Sequence, residues 1–201
     1  LYLVFLKIIF LMMKIKNIIL TCIVSTLALL MFSTNSLATE NITFTDSVFK
    51  EQVLYHGMTA DYSVADQNSD GEISVEEAEQ ISIIDIYSKC SLADLEYLPN
   101  LTRLCISSSD FDSLDDLNNI KLENLKTVWF YNNPKLKDIS VLGKFDTIKD
   151  ISITDMPVVD VSFLGNLVNL EQVSLNYLNI SDVSSLNNNE NLKLDKAVLH
   201  R

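Results

Sequence analysis

The sequence predicts an α/β repeat fold: a right-handed solenoid with parallel strands on its concave face and a small helical cap at its N-terminal end. Three observations carry that expectation. Apolar residues fall at Leu98, Leu101, Leu104, Ile106, Phe111, Leu114 and Leu117, in steps of 3, 3, 2, 5, 3 and 3. The same steps return at Leu167, Leu170, Val173, Leu175, Ile180, Val183 and Leu186. Such a ladder is neither the helical period nor plain strand alternation. It marks one coil repeated along a solenoid, where neighbouring coils bury a common core. Upstream of the ladder, Asp66–Glu77 forms an acidic loop with oxygen-bearing residues at fixed offsets.

The elements follow in chain order. Residues 1–38 carry no acid, and their cations are Lys7, Lys14 and Lys16. Lys14-Ile15-Lys16 leads into an apolar run from Ile18 to Phe32, which ends in Ser36-Leu37-Ala38. A basic start, a short apolar centre and a small-x-small end predict a secretory signal peptide over residues 1–38, cleaved after Ala38, and a start at Met12 or Met13 would give it a conventional length. The alternative is an uncleaved membrane anchor. Either way, this segment is the only expected membrane contact, and the expected location is secreted or on the extracellular surface.

Residues 39–201 keep all 27 acids and 12 of the 15 cations, a formal charge of −15. That balance argues against nucleic acid or an anionic membrane surface as partner.

Residues 39–80 are expected to form the cap. Phe44 to Leu54 shows apolar residues at helical spacing. Asp66, Asn68, Asp70, Glu72, Ser74 and Glu77 then match the EF-hand calcium-loop pattern. Asp66, Asn68 and Asp70 offer side-chain oxygens and Glu72 its carbonyl. Ser74 contributes directly or through water, and Glu77 can close the site with two oxygens. Gly71 permits the sharp turn, and Ile73 is expected to point into the core. Ser74 and Glu77 also read as a capping box for a short helix through Gln80. With a single loop present, a structural calcium site in a cap is favoured over a calcium switch.

Residues 81–201 are expected to be the repeats. Inward strand pairs align as Ile84-x-Ile86, Leu104-x-Ile106, Val128-x-Phe130, Ile151-x-Ile153 and Val173-x-Leu175, spaced by 20, 24, 23 and 22 residues. These spacings lie in the leucine-rich-repeat range. Asn191-Leu192-Lys193-Leu194 opens a further coil, which the sequence leaves incomplete. Polar Asn, Asp and Ser on the far side satisfy backbone groups in the turns. Cys105 is placed beside Asp85, and Cys90 beyond the strand end, so no disulfide is expected between them.

Leu170-Glu-Gln-Val173-Ser-Leu175, followed by Ile180-Ser-Asp-Val183-Ser-Ser-Leu186, resembles the leucine-rich repeats of the internalin family of Gram-positive surface proteins. Leu122-Glu-Asn-Leu125-Lys-Thr-Val128-Trp-Phe130 repeats the theme. The resemblance covers about residues 81–201. It departs where the family stacks Asn side chains on backbone, since Ser109, Asn133, Met156 and Leu178 hold those positions here. Only Asn133 fits, so an Asn ladder is expected to be mostly missing.

Outward strand residues alternate with the buried pairs and line the concave face. Among them, Arg103, Trp129, Tyr131, Asp150, Gln172 and Asn176 are the candidate ligand contacts. Trp129 and Tyr131 would form an exposed aromatic patch of the kind that carries binding energy. Of the two histidines, His56 lies in the cap and His200 beside the C-terminus, and no nucleophile–base set is expected. The expected function is a binding module for a protein or glycan ligand without catalysis. The alternative is a truncated targeting or spacer part of a larger exported protein or enzyme.

Overall fold

The computed structural model describes residues 40–193 and, for the backbone, 197–200. The signal segment, its cleavage point and the side chain of His200 lie outside the described residues. Among the described residues, no helix is long and apolar enough to cross a membrane.

The chain opens with helix α1 (Ser47–His56). The Asp46 carboxylate accepts the Val48 and Phe49 amides at 2.7 and 3.1 Å, so two of the helix's unpaired donors are satisfied. Phe49, Gln52 and Val53 form its buried stripe. Gly57 ends it by turning to extended backbone while its amide still donates to the Val53 carbonyl, and the position takes glycine because a Cβ there would meet that oxygen at 2.5 Å. The chain then enters β1 (Gly57–Thr59), which pairs antiparallel with β2 (Ile81–Ile86). A strand in the cap is a departure from the all-helical expectation. The amphipathic signal in a three-residue strand is too short to read. Helix α2 (Val75–Ala78) between them is a single turn, shorter than expected.

Five further strands extend the sheet in strict sequence order: β3 (Arg103–Ser107), β4 (Thr127–Tyr131), β5 (Asp150–Thr154), β6 (Gln172–Asn176) and β7 (Ala197–His200). All pairings from β2 to β7 are parallel. Ile84, Leu104, Val128, Ile151 and Val173 stand side by side in the register read from the sequence. The coil opened by Asn191 carries a strand as well, with Ala197 and Leu199 opposite Val173 and Leu175.

Short 3-10 turns on the opposite side close each coil: Ala93–Tyr97, Asp115–Asn119, Ser140–Lys144, Ser162–Asn166 and Ser184–Asn188. Each is primed by a polar side chain two residues before its first residue. Asp138, Asp160 and Asp182 accept the amides of Ser140, Ser162 and Ser184 at 2.7–2.8 Å. The core lies between sheet and turns. Leu95, Leu117, Leu142 and Leu164 are fully buried there against the inward strand pairs.

Two side-chain ladders bind coil to coil. At the family's Asn position, Asn133 is fully buried. It donates to the carbonyls of Ile106 and Tyr131 and accepts from the Ser109 amide and hydroxyl. The other ladder was not visible in the sequence. Asn100, Asn124, Asn169 and Asn191 each donate to a carbonyl of the previous coil, at 2.7–3.0 Å. Thr147 fills the same place and bonds the Leu125 carbonyl at 2.7 Å. The loss of the usual ladder is thus offset on the strand-entry side.

Strands β3 to β6 each leave through a residue in the left-handed region: Ser108, Asn132, Asp155 and Tyr177, with φ of 50–55°. None is glycine. The turn aims the Ser108, Asn132 and Asp155 amides at the strand-end carbonyls of Tyr131, Thr154 and Asn176 in the next coil.

Candidate functional site

The outward faces of β3 to β6 bring all six candidate ligand residues onto one surface. Arg103, Asp150 and Gln172 stand near the strand starts, Trp129 at the centre of β4, and Tyr131 and Asn176 at strand ends. Around them stand Ser107, Thr127, Ser152, Thr154 and Ser174. Trp129 is 38% exposed and Tyr131 51%.

The structure divides the six by role. The Arg103 guanidinium lies 5.2 Å from the centre of the Trp129 ring and 6.0 Å from that of Tyr62. Its Nη2 stands 3.8 Å from the Asp85 carboxylate. A cation over an indole face is attracted by the ring quadrupole, so Arg103 steadies Trp129 and its own charge is met by Asp85. Asp150 stands on the other side. Burial pushes its carboxyl above the usual range, and the Trp129 indole N–H offsets part of that rise. Trp129 thus has a charged residue beside it on each neighbouring strand. Gln172 and Asn176 lie farther along the sheet, where Asn176 donates to the Ser174 hydroxyl at 2.8 Å.

Sequence reasoning missed Tyr62, Asp85 and Tyr87. Tyr87 is 45% exposed. Extending the in-out alternation of β2 by one step would have found it. Tyr62 sits in the turn after β1 with a φ of 65°, and no pattern in the sequence announces that turn. Tyr87 packs edge-on against His56 at 4.8 Å, and its amide donates to Gln52 at 2.8 Å, so α1 supports the first outward tyrosine.

Cys105 lies on this face beside Asp85, as expected. It and Cys90 are free thiols. Burial pushes them up to about 11 and about 12 respectively, far from a reactive thiolate at neutral pH.

The cap meets the first coil through polar clamps. Asp94, 1% exposed, accepts the Thr45 amide and hydroxyl, both at 2.7 Å, and the Asp46 amide at 3.0 Å. Asp46 in turn accepts the Ser91 amide at 2.8 Å. Phe49, Val53, Ala65, Ile73 and Ala78 are buried in one core with Ile81 and Ile84. Ile73 thus points inward, as expected.

In the acidic loop, Asp66 accepts the Asp70 and Gly71 amides, and Gly71 takes a φ of 80°. Glu77 leans across the loop: Oε1 accepts from the Gln67 and Asn68 amides, and Oε2 from the Ser74 amide and hydroxyl. The Ser74–Glu77 capping box is formed. Glu72 pairs its carboxylate with Lys50 at 2.7 Å, leaving its carbonyl as the group the motif requires. In place of a second loop, the N-terminal segment bridges this one. The Ile42 amide donates to Ile73 and the Val75 amide to Glu40, at 2.8 and 2.9 Å. Among the described residues, no three acidic, histidine or cysteine side chains stand close enough to hold a metal ion as the loop is arranged here.

No family model and no curated protein matches the chain. Solved structures do. Internalin C2 from Listeria monocytogenes superposes with a TM-score of 0.61 at 21% identity, over 78% of this chain and 65% of that one. Internalin InlF of the same organism gives a TM-score of 0.45 at 20% identity, over 82% of this chain and 60% of that one. The chain thus spans less than two thirds of the length of either. The fold is the leucine-rich-repeat solenoid seen in internalin C2.

Proposed function

We propose that this chain is an exported or surface-displayed binding module whose concave face takes a protein or glycan ligand, without catalysis of its own. The observation that carries the reading is the fixed, exposed Trp129, with Tyr131 beside it, on a sheet whose other outward residues are mostly small. An aromatic side chain already held in one orientation loses little freedom on binding, so its contact area converts efficiently to affinity. Capture of ligands by the wild-type chain and by Trp129→Ala and Tyr131→Ala variants tests it. A ligand retained equally by all three would remove the concave face from consideration.

A calcium ion is proposed as a structural part of the cap. The loop supplies oxygens from Asp66, Asn68, Asp70, Glu72, Ser74 and Glu77, the chemistry a hard cation takes. Gly71 and the inward Ile73 support that loop shape. When bound, the ion would offset the repulsion among the carboxylates and hold the loop that carries Ile73 into the core.

A further inference from the structure

Building on the concave face as the binding surface, we propose that its ligand is an uncharged oligosaccharide, stacked on Trp129 and Tyr131. The first ground is charge. Residues 39–201 carry a formal charge of −15, yet charge on this face is largely cancelled. Asp150 is the only charged residue among the outward positions of β4, β5 and β6, and it is half-buried beside the Trp129 indole. Arg103 is met by Asp85. A polyanion or a cationic segment would find no unpaired row of charge here to complement.

The second ground is the chemistry of the remaining surface. Protein-binding patches are depleted in serine and have an apolar centre. Here the outward residues other than the aromatics carry mainly hydroxyls and amides, with Ser107, Ser152 and Ser174 each partly exposed. Short hydroxyl and amide groups both donate and accept, which matches the alternating hydroxyls of a sugar. The apolar C–H face of a pyranose ring matches an indole or phenol face.

The third ground is shape. At the strand exits beside Tyr131, a hollow of about 400 Å³ is lined by Tyr87, Ser88, Lys89, Ser108, Asp110 and Asn132. Its two charged lining residues are each paired, Lys89 with Asp112 at 2.7 Å and Asp110 with Lys135 at 2.9 Å. Its volume is within the ordinary range for a small-ligand site. A chain of sugars lying on Trp129 and Tyr131 would run into it.

Trp129 is the single tryptophan of the protein, so its emission reports the site directly. The whole chain is titrated with neutral hexasaccharides of glucose, mannose, galactose and N-acetylglucosamine, with heparin and a hexalysine peptide as charged probes. The expected result is a saturable change in Trp129 emission with at least one neutral hexasaccharide. Its affinity should vary less than about twofold between low and high salt, because no ion pair is formed. By calorimetry, Trp129→Ala and Tyr131→Ala should each weaken it at least tenfold, while Tyr55→Ala, on the exposed side of α1, should leave it unchanged. Binding of heparin or hexalysine alone, or of no probe, overturns the proposal. A protein ligand that depends on Trp129 and is not displaced by any hexasaccharide also overturns it, while leaving the concave-face reading intact. A hexasaccharide bound equally well by the Trp129→Ala and Tyr131→Ala variants sinks both.

Discussion

The Arg103 guanidinium stands 5.2 Å from the centre of the Trp129 ring on the adjacent strand, with Asp85 on its other side. The three residues sit in one chain of contacts across β2, β3 and β4. A partly exposed cation–aromatic contact of this kind contributes on the order of 0.5–1 kcal/mol. Replacing Arg103 by Gln should therefore lower stability by about 1 kcal/mol. The more telling effect should be on Trp129, whose emission should become more accessible to acrylamide quenching once its neighbour is gone. Unchanged quenching would mean that Arg103 does not fix the ring.

Asp150 should make the fold less stable as it ionises. Burial raises its carboxyl above the ordinary 3.8, and the Trp129 indole N–H lowers it by less. A carboxyl whose value rises on folding stabilises the native state when protonated. That contribution is fully present below the unfolded value and is lost as pH climbs through the folded one. Asp150→Asn keeps an acceptor for the indole and removes the buried charge. The variant should melt above wild type at neutral pH, and the two curves should converge toward the acid side. A variant that melts lower at every pH would show that the charge itself is stabilising.

Much of this architecture could be read before any coordinates. The strand register was legible because each inward pair, such as Val128 and Phe130, must lie against its neighbours to bury its apolar surface, and a slip of one residue would expose it. The outward positions followed by alternation, which is why Arg103, Trp129, Tyr131, Asp150, Gln172 and Asn176 do share a face. What could not be read was which of them touch. That Arg103 and Asp150 flank Trp129 depends on diagonal neighbours and rotamers, which strand pairing does not encode. Tyr62 reaches Arg103 only because an unannounced turn follows β1. The ladder of Asn100, Asn124, Thr147, Asn169 and Asn191 escaped notice for another reason. Its members precede the strands in loops, and their partners appear only when coils stack.

Asn133 and Asn124 give a graded test of the two ladders. Asn133 is fully buried and bonds two carbonyls and the Ser109 amide and hydroxyl. Asn133→Ala leaves several of these without partners, and a buried unsatisfied group costs on the order of 1–3 kcal/mol, so a loss of about 3 kcal/mol is expected. Asn124→Ala frees a carbonyl that water can reach, and should cost about 1 kcal/mol or less. Urea unfolding of both variants checks the order. Equal losses would mean that burial does not set the value of these bonds.

Tyr177 is the strained member of the left-handed series. Its φ of 53° is the conformation Asn132 and Asp155 also adopt, but a bulky side chain tolerates it poorly, at a cost of about 1–2 kcal/mol. The side chain is 68% exposed, so little packing is lost on replacing it. Tyr177→Asn should raise stability by about 1 kcal/mol, while Tyr177→Phe should change little. A loss of stability in the Asn variant would show that the Tyr177 ring makes contacts worth more than the strain.

Calcium should act through the cap. Ile73 is fully buried, and its carbonyl accepts the Ile42 amide. That segment continues to Thr45 and Asp46, which grip Asp94 in the first coil. Tightening the loop should therefore stabilise the cap against the solenoid end, not the loop alone. With calcium about a hundredfold above its dissociation constant, the gain should be about 2.7 kcal/mol. For a domain of this size that is a rise in Tm of about 5–10 °C. Glu77 has a second role in the capping box, so Glu77→Gln should lower the baseline as well as the response. Asp66→Ala spares the capping box and removes the loop's first ligand, the position the motif restricts to Asp, so it should remove most of the calcium-dependent rise on its own. The quantity to compare is the difference between calcium and chelator within each protein. Identical melting of the wild-type chain in the two conditions would rule out a stabilising site.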